Sequence, residues 1–421
     1  MRIRPTYRHT VLACYFANFF QAIGCVFPII LVPLRSLFGI SFTQFGMLVA
    51  INFMTQISSD VLFSKPVDRF GFRRFMVGAP ILVSFGLLLF AATPTLFPGR
   101  EFAGFCLGTF LFAAGGGLQE LLLSPILDAL PLPKEDKARN MSMLHSFFAW
   151  GQIFIVLVTT SLLALLGSEG WRIIVTCWAI VPLVSSALFA FVPMSPRVKP
   201  GHEMPIRTLF QNRIFRLAML AILFGGAAEV TMSQWASAFI DRALHLPKLV
   251  GDTLGVCGFS FMLALGRTLY GLRGKADAIH RLMILGSIGA TACYLIAALT
   301  AAPVVSLIAC ALTGLCVSLL WPGSVIVSSR HLPMAGASMF ALLSAMGDAG
   351  ASLASFVTGK ISDTVRALPF GLASGEQAGL RAGLLFAALF CLGCLVVQGS
   401  LQRAARVDLQ SDRSRGAQAP L

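Results

Sequence analysis

Twelve long apolar runs decide what this chain can become. They cover roughly residues 10–34, 44–64, 75–94, 102–129, 140–167, 171–193, 214–240, 249–271, 282–301, 303–328, 334–361 and 380–402. About 20 apolar residues in a helix are enough to cross the hydrocarbon of a bilayer. Inside it no water is available to pair backbone N–H and C=O groups, so a spanning segment must satisfy them within its own helix. Several runs exceed the minimum, which implies tilt or extension beyond the lipid. The expectation is an all-α integral membrane protein with twelve transmembrane helices.

Composition agrees. Hydrophobic residues make up 57% of the 421 and charged residues only 12%, half of the roughly 25% usual in soluble domains. The formal charge of +14 would suit nucleic acid if it lay on one face. It lies instead in short loops between apolar runs, so DNA binding is not expected and the lipid bilayer is the natural partner. Lys and Arg gather on the cytoplasmic side of a membrane protein. With the N-terminus inside, 24 of the 32 Lys and Arg fall on inner segments; Arg35, Arg100, Arg172, Arg242, Lys248, Lys360, Arg366 and Arg381 fall outside. This bias puts both termini in the cytoplasm, in a bacterial inner membrane. Met1–Arg8 is basic, but the apolar run after it is long and has no small-residue cleavage site, so no signal peptide is expected.

Other chemistries find no support. The ten cysteines sit within apolar runs, and the CxxC of Cys391 and Cys394 has no partner ligands nearby, so neither a metal nor a redox site is expected. No GxxxxGK[ST] phosphate loop occurs, which argues against nucleotide-driven pumping. No cofactor and no enzyme activity are expected. Gly115, Gly116 and Gly117 lie inside an apolar helix, where close helix packing is their expected use.

The chain repeats itself. Ser142-Met143-Leu144-His145-Ser146-Phe147-Phe148-Ala149-Trp150-Gly151-Gln152 aligns with Ser338-Met339-Phe340-Ala341-Leu342-Leu343-Ser344-Ala345-Met346-Gly347-Asp348 at an offset of 196. Gly117…Ser124-Pro125 aligns with Gly314…Trp321-Pro322 at 197. The longest link between runs, rich in Pro and basic residues, marks the half-way point. The expected organisation is a six-helix bundle over 1–193, a cytoplasmic linker over 194–213, a second bundle over 214–403 and a polar tail over 404–421. Two halves so related are what secondary transporters use for alternating access.

Ionisable groups at bilayer depth are costly, roughly 2.5–3.5 kcal/mol for a carboxylate on insertion scales, and mark functional sites by default. Three acids qualify: Glu120, Glu229 and Asp348. Burial disfavours a carboxylate and water favours it, so an acid alternately buried and wetted can load and release a proton. Glu120 and His145 lie about two turns on either side of the charged loop Lys134–Arg139, at similar depth on neighbouring antiparallel helices. With an unperturbed pKa of about 6.5, His145 suits a relay as well as it suits packing. Asp60, nearer the end of its run, reads as an interface cap. No Lys or Arg is expected at the midplane, which disfavours anionic cargo and leaves neutral polar solutes or cations. Asn18, Gln21, Asn52, Gln56, Gln152 and Gln234 are the candidate polar contacts, because amides in lipid are costly unless paired. Trp150, Trp235 and Trp321 could stack on a sugar face or simply pack.

Between the second and third runs, Ser64-Lys65-Pro66-Val67-Asp68-Arg69-Phe70-Gly71-Phe72-Arg73-Arg74 resembles the G-x-x-x-D-R-x-G-R-R loop of the major facilitator superfamily. Ser64 replaces the opening Gly and Phe72 shifts the basic pair by one; the second-half copy, Gly266-Arg267…Arg273-Gly274-Lys275, lacks the Asp. The resemblance implies that Asp68, Arg69, Gly71, Arg73 and Arg74 gate the inner side, with arginines pairing across the halves, and that the chain is a monomer. A finer resemblance is to the fucose-permease-like branch of proton-coupled sugar symporters, where the fourth helix carries a glutamate shortly before a Pro, as Glu120…Pro125 does here. It implies that Glu120 couples protons to transport. Where the fucose permease has a carboxylate in its first helix, this chain has Gly24, and the arginine that drug antiporters carry in the fourth helix is missing. The expectation is proton symport of a small sugar-like solute. Alternatives are a proton-driven efflux antiporter for cationic or amphipathic compounds and a non-transporting membrane sensor.

Overall fold

The computed structural model describes residues 6–40, 42–195, 204–246, 250–366 and 375–416. Among them there is no strand. Span one is interrupted: helix Tyr7–Gln21, a tight turn Ala22–Cys25, then helix Val26–Phe38. Spans two to five are Phe42–Phe70, Phe72–Leu96, Glu101–Ala129 and Lys134–Leu166, and span six is Trp171–Trp178 with Ile180–Phe191. A short helix, Ile206–Gln211, leads into span seven, Arg213–Ala238. Span eight is Gly258–Arg273, preceded by a wide helical turn Gly251–Cys257, and span nine is Ile279–Leu299. Span ten is broken into Pro303–Val317 and Leu320–His331; spans eleven and twelve are Ala337–Arg366 and Gly375–Gly416.

Among the described residues, ten helices are long and apolar enough to cross a bilayer by length and composition.

The chain forms two compact units, one of Met1–Glu203 with Gly336–Ala345, the other of Met204–Ala335 with Met346–Leu421. The first is centred on an aromatic cluster. Phe90, Phe105 and Trp171, all fully buried, meet with Phe38 at centroid separations of 4.7–6.1 Å, binding spans one, three, four and six. Offset and edge-on arrangements like these favour aromatic quadrupoles beyond plain burial.

The glycines aligned by the internal repeat do the same job in each unit. A Cβ on Gly117 would come 2.9 Å from the Gln56 Cα, and one on Gly314 would press into the Phe259 carbonyl. Gly117 thus lets span four touch the backbone of span two, and Gly314 lets span ten touch span eight, the close approach that small residues permit in membranes.

Arginines close helix ends in both units. Arg172, at the start of span six, donates from Nε to the Ala91 carbonyl (3.0 Å) and from Nη2 to Thr95 Oγ1 (2.9 Å), at the end of span three. Arg381, near the start of span twelve, donates to the carbonyls of Ala298 (2.6 Å) and Thr300 (2.8 Å) at the end of span nine. The last carbonyls of a helix have no partner within it, and a cation there also suits the helix dipole. Two of the eight Lys and Arg on the sparse side of the charge count therefore have a local structural use.

The cysteines pack. Cys391 and Cys394 are fully buried; the Cys394 thiol receives Ser287 Oγ at 3.5 Å and points at the Ala221 carbonyl, joining spans seven, nine and twelve. Among the described residues no group of His, Cys, Asp and Glu could hold a metal.

Candidate functional site

In the first unit the polar side chains of three helices converge on the glycines of span four. Gln21 of span one donates from Nε2 to the Gly116 carbonyl at 2.9 Å. A Cβ on Gly116 would lie 3.4 Å from the Gln21 amide nitrogen and 3.9 Å from that of Gln56 in span two. Gln119 donates from Nε2 to Gln21 Oε1 (3.0 Å) and to the Ala17 carbonyl (3.3 Å). Asn18, buried, donates to the Leu144 carbonyl at 2.7 Å and so ties span one to span five beside His145. The bare backbone of Gly116 makes room for this amide cluster, and Glu120 follows Gln119 directly in the chain.

Glu120 and His145 are both half-buried, as are Asn52, Gln56, Trp150 and Gln152. The structure thus gathers Gln21 and Gln56 around span four, while Asn18 faces span five. Gln119 is the member that sequence reading missed. Its signal was present: an amide inside the apolar run Gly-Gly-Gly-Leu-Gln-Glu, next to the acid, in a setting where unpaired amides are costly.

The second unit holds a buried ion pair. Arg267 of span eight donates from Nη2 to both carboxylate oxygens of Glu229 in span seven, at 2.7 and 2.8 Å. The arginine side chain is 3% exposed and the glutamate 14%. Arg267 Nε also donates to the Ser318 carbonyl at 2.9 Å. That carbonyl is available for a reason written in the sequence. Its helical partner four residues on would be the N–H of residue 322, which is Pro322 and has none. Span ten breaks at this point, and Leu319 leaves helical geometry with φ −102° and ψ 0°. One sequence expectation is therefore corrected: Arg267 is a buried base paired with Glu229, so this half does bring positive charge into its interior.

Trp321 packs against Gly226 and Gly347: a Cβ on Gly226 would lie 3.1 Å from the indole, and one on Gly347 would overlap it. Trp235 packs on Gly359, whose Cβ would approach the ring to 3.1 Å. Both tryptophans are half-buried, and these contacts are packing contacts on spans seven and eleven. Asp348, beside Gly347, is half-buried, and Gln234 is exposed.

The loop between spans two and three uses its residues locally. Gly71 has φ +80°, a conformation that costs a residue with a Cβ, and its N–H caps the Val67 carbonyl at 2.9 Å. Arg73 donates to the carbonyls of Phe189 (3.1 Å), Ala190 (2.6 Å) and Val192 (2.8 Å) at the end of span six. The expectation that Arg73 reaches across the halves is corrected: it is spent on a helix terminus within its own unit. Arg69 lies 5.4 Å from the Phe70 ring centroid, and Arg74 is exposed. The side chain of Asp68 lies outside the described residues.

Residues 11–355 match the profile of the Major Facilitator Superfamily. No sequence among the curated proteins matches. Solved structures of similar fold include the transporter FucP in its outward conformation, with 17% identity over 94% of this chain and 98% of that one and a TM-score of 0.74. The proton:xylose symporter XylE follows with 16% identity over 92% and 95% and a TM-score of 0.75. The human organic anion transporter MFSD10 shows 14% identity over 94% and 100% and a TM-score of 0.70.

Proposed function

Because this chain belongs to the Major Facilitator Superfamily, matched over residues 11–355, we propose that it is a secondary transporter whose cargo is a small neutral polar solute, sugar-like, moved with protons by alternating access. The observation that carries this reading is the amide cluster of Gln21, Gln56 and Gln119 on the Gly116 face of span four, with Glu120 next in the chain. Amides offer donors and acceptors suited to hydroxyls, and a half-buried acid among apolar residues is suited to exchanging a proton. The Escherichia coli fucose:proton symporter and the proton:xylose symporter, both similar in fold, support it. In this reading Glu120 carries the coupled proton, with His145, Glu229 and Asp348 as further candidates. The protein works as a monomer in a bacterial inner membrane with both termini in the cytoplasm.

A second reading, transport of an anionic solute, is favoured by Arg267, a buried guanidinium that a carboxylate-bearing cargo could share with Glu229. The organic anion transporter of similar fold is consistent with it.

The test is uptake into proteoliposomes under an inward proton gradient, with labelled L-fucose, D-xylose, polyols and small carboxylates as probes. Accumulation above the external concentration is expected for a neutral probe. Glu120→Gln should abolish accumulation while leaving gradient-independent exchange of the same solute. Uptake indifferent both to the gradient and to Glu120→Gln would sink the symport mechanism; accumulation confined to the carboxylates would favour the second reading.

A further inference from the structure

A cavity of about 20 Å³ lies inside the first unit, at the point where span one breaks. Its walls include Phe112 and Val83, and three polar side chains line it from three spans: Gln21, Gln119 and Ser185. Ser185 is 2% exposed, and its Oγ has no hydrogen-bond partner. A serine inside a helix ordinarily satisfies its hydroxyl by donating to a carbonyl of the preceding turn, as Ser287, Ser324 and Ser362 do here. Ser185 does not, and it lines the cavity instead. The two amides are only partly committed. Gln119 spends its nitrogen on Ala17 and Gln21, and Gln21 donates to Gly116; the Gln119 oxygen and the second N–H of Gln21 remain available.

We propose that this cavity is a hydration site, holding one water hydrogen-bonded to Ser185 Oγ and to the Gln21–Gln119 amide pair. The volume fits: one water needs about 10–15 Å³ of such space and two to four polar partners, and three are present. Apolar cavities stay dry, so the polar lining distinguishes this one. The water joins span six to spans one and four, where no direct side-chain bond links Ser185 to the amides. The orientation of the two amides is set by the Gly116 and Ala17 carbonyls that accept from their nitrogens, which leaves the Gln119 oxygen and the second N–H of Gln21 for the water. The inference concerns the interior of one unit and holds whatever the transporter carries.

The sign of one substitution decides it. If the hydroxyl is paired with water, Ser185→Ala removes a made hydrogen bond, and the purified protein should lose about 2–4 °C of Tm. If the cavity is dry, the same change deletes a buried unpaired hydroxyl, which is stabilising, and Tm should stay level or rise. An experimental density map of the unsubstituted protein, sharp enough to show ordered solvent, should place a peak within hydrogen-bond distance of Ser185 Oγ. A level or raised Tm, or an empty site in such a map, overturns the proposal.

Discussion

The pairing of Glu229 with Arg267 makes a prediction whose size follows from its geometry. Both groups are buried, at 2.7 Å, and the arginine holds the Ser318 carbonyl as well. Removing one member of a buried pair leaves an uncompensated charge and costs about 3–5 kcal/mol, whereas replacing both by neutral groups is often close to neutral. Glu229→Gln keeps an acceptor but strips the counter-charge. Arg267→Met strips the counter-charge from Glu229 and also strands the Ser318 carbonyl, so it should be the more damaging of the two. At about 2–4 °C per kcal/mol for a unit of roughly 200 residues, a loss of about 3 kcal/mol lowers Tm by about 6–12 °C. The assay is a double-mutant cycle read by thermal unfolding of the purified protein. Glu229→Gln with Arg267→Met should recover part of the loss, with a coupling of about 0.5–3 kcal/mol. Arg267→Lys should fall in between, keeping the charge and losing the planar fork. Additive single losses, or single variants within 2 °C (about 1 kcal/mol) of the parent, would refute the pair as a coupled unit.

Two further outcomes follow from local geometry. Arg73→Ala exposes three terminal carbonyls of span six that Arg73 now holds; hydrogen bonds to charged groups contribute about 1.5–3 kcal/mol, so thermal unfolding should shift down by several degrees, and an unchanged Tm would show the contacts to be idle. Gly314→Ala forces a methyl into the Phe259 carbonyl and should destabilise the second unit, while Gly399→Ala, with nothing within 4 Å of the added carbon, should leave Tm level or raise it; equal effects at the two sites would mean that close approach does not set the packing.

Much of the scaffold was legible because apolar length and periodic repetition are properties of the sequence itself. The alignment of Gly117 with Gly314 foretold two glycines in equivalent work, and each proves to bring its helix onto a neighbour's backbone. The breaks were not legible. Span one turns at Ala22–Cys25, in sequence that is still apolar, so hydropathy passes straight through it. Arginines were harder still. Counting them by loop treats each as an anchor, yet Arg73, Arg172 and Arg381 are spent on helix termini and Arg267 on a buried acid. A long side chain reaches a partner that one-dimensional position does not reveal. Gln119, by contrast, could have been found by asking what satisfies an amide inside an apolar helix.

The two units diverge within the repeat at spans four and ten, and the divergence bears on which acid has transport work to do. At the offset of 197, Glu120 falls opposite Val317, one residue before the break in span ten. The two prolines of the repeat, Pro125 and Pro322, each remove one helical hydrogen bond. Span four stays helical past Pro125, whereas span ten opens and frees the Ser318 carbonyl. Away from water such a carbonyl needs a donor, and Arg267 supplies one. A guanidinium so buried in turn needs a counter-charge, and Glu229 supplies that. Glu229 is thus accounted for by a chain of structural necessity that starts at Pro322. No such chain leads to Glu120: span four needs no acid to remain intact, and its neighbours Gly116 and Gln119 are already engaged with Gln21. A costly group that the fold does not require is the better candidate for the group the function requires, and this is the ground for weighting the proton step towards Glu120.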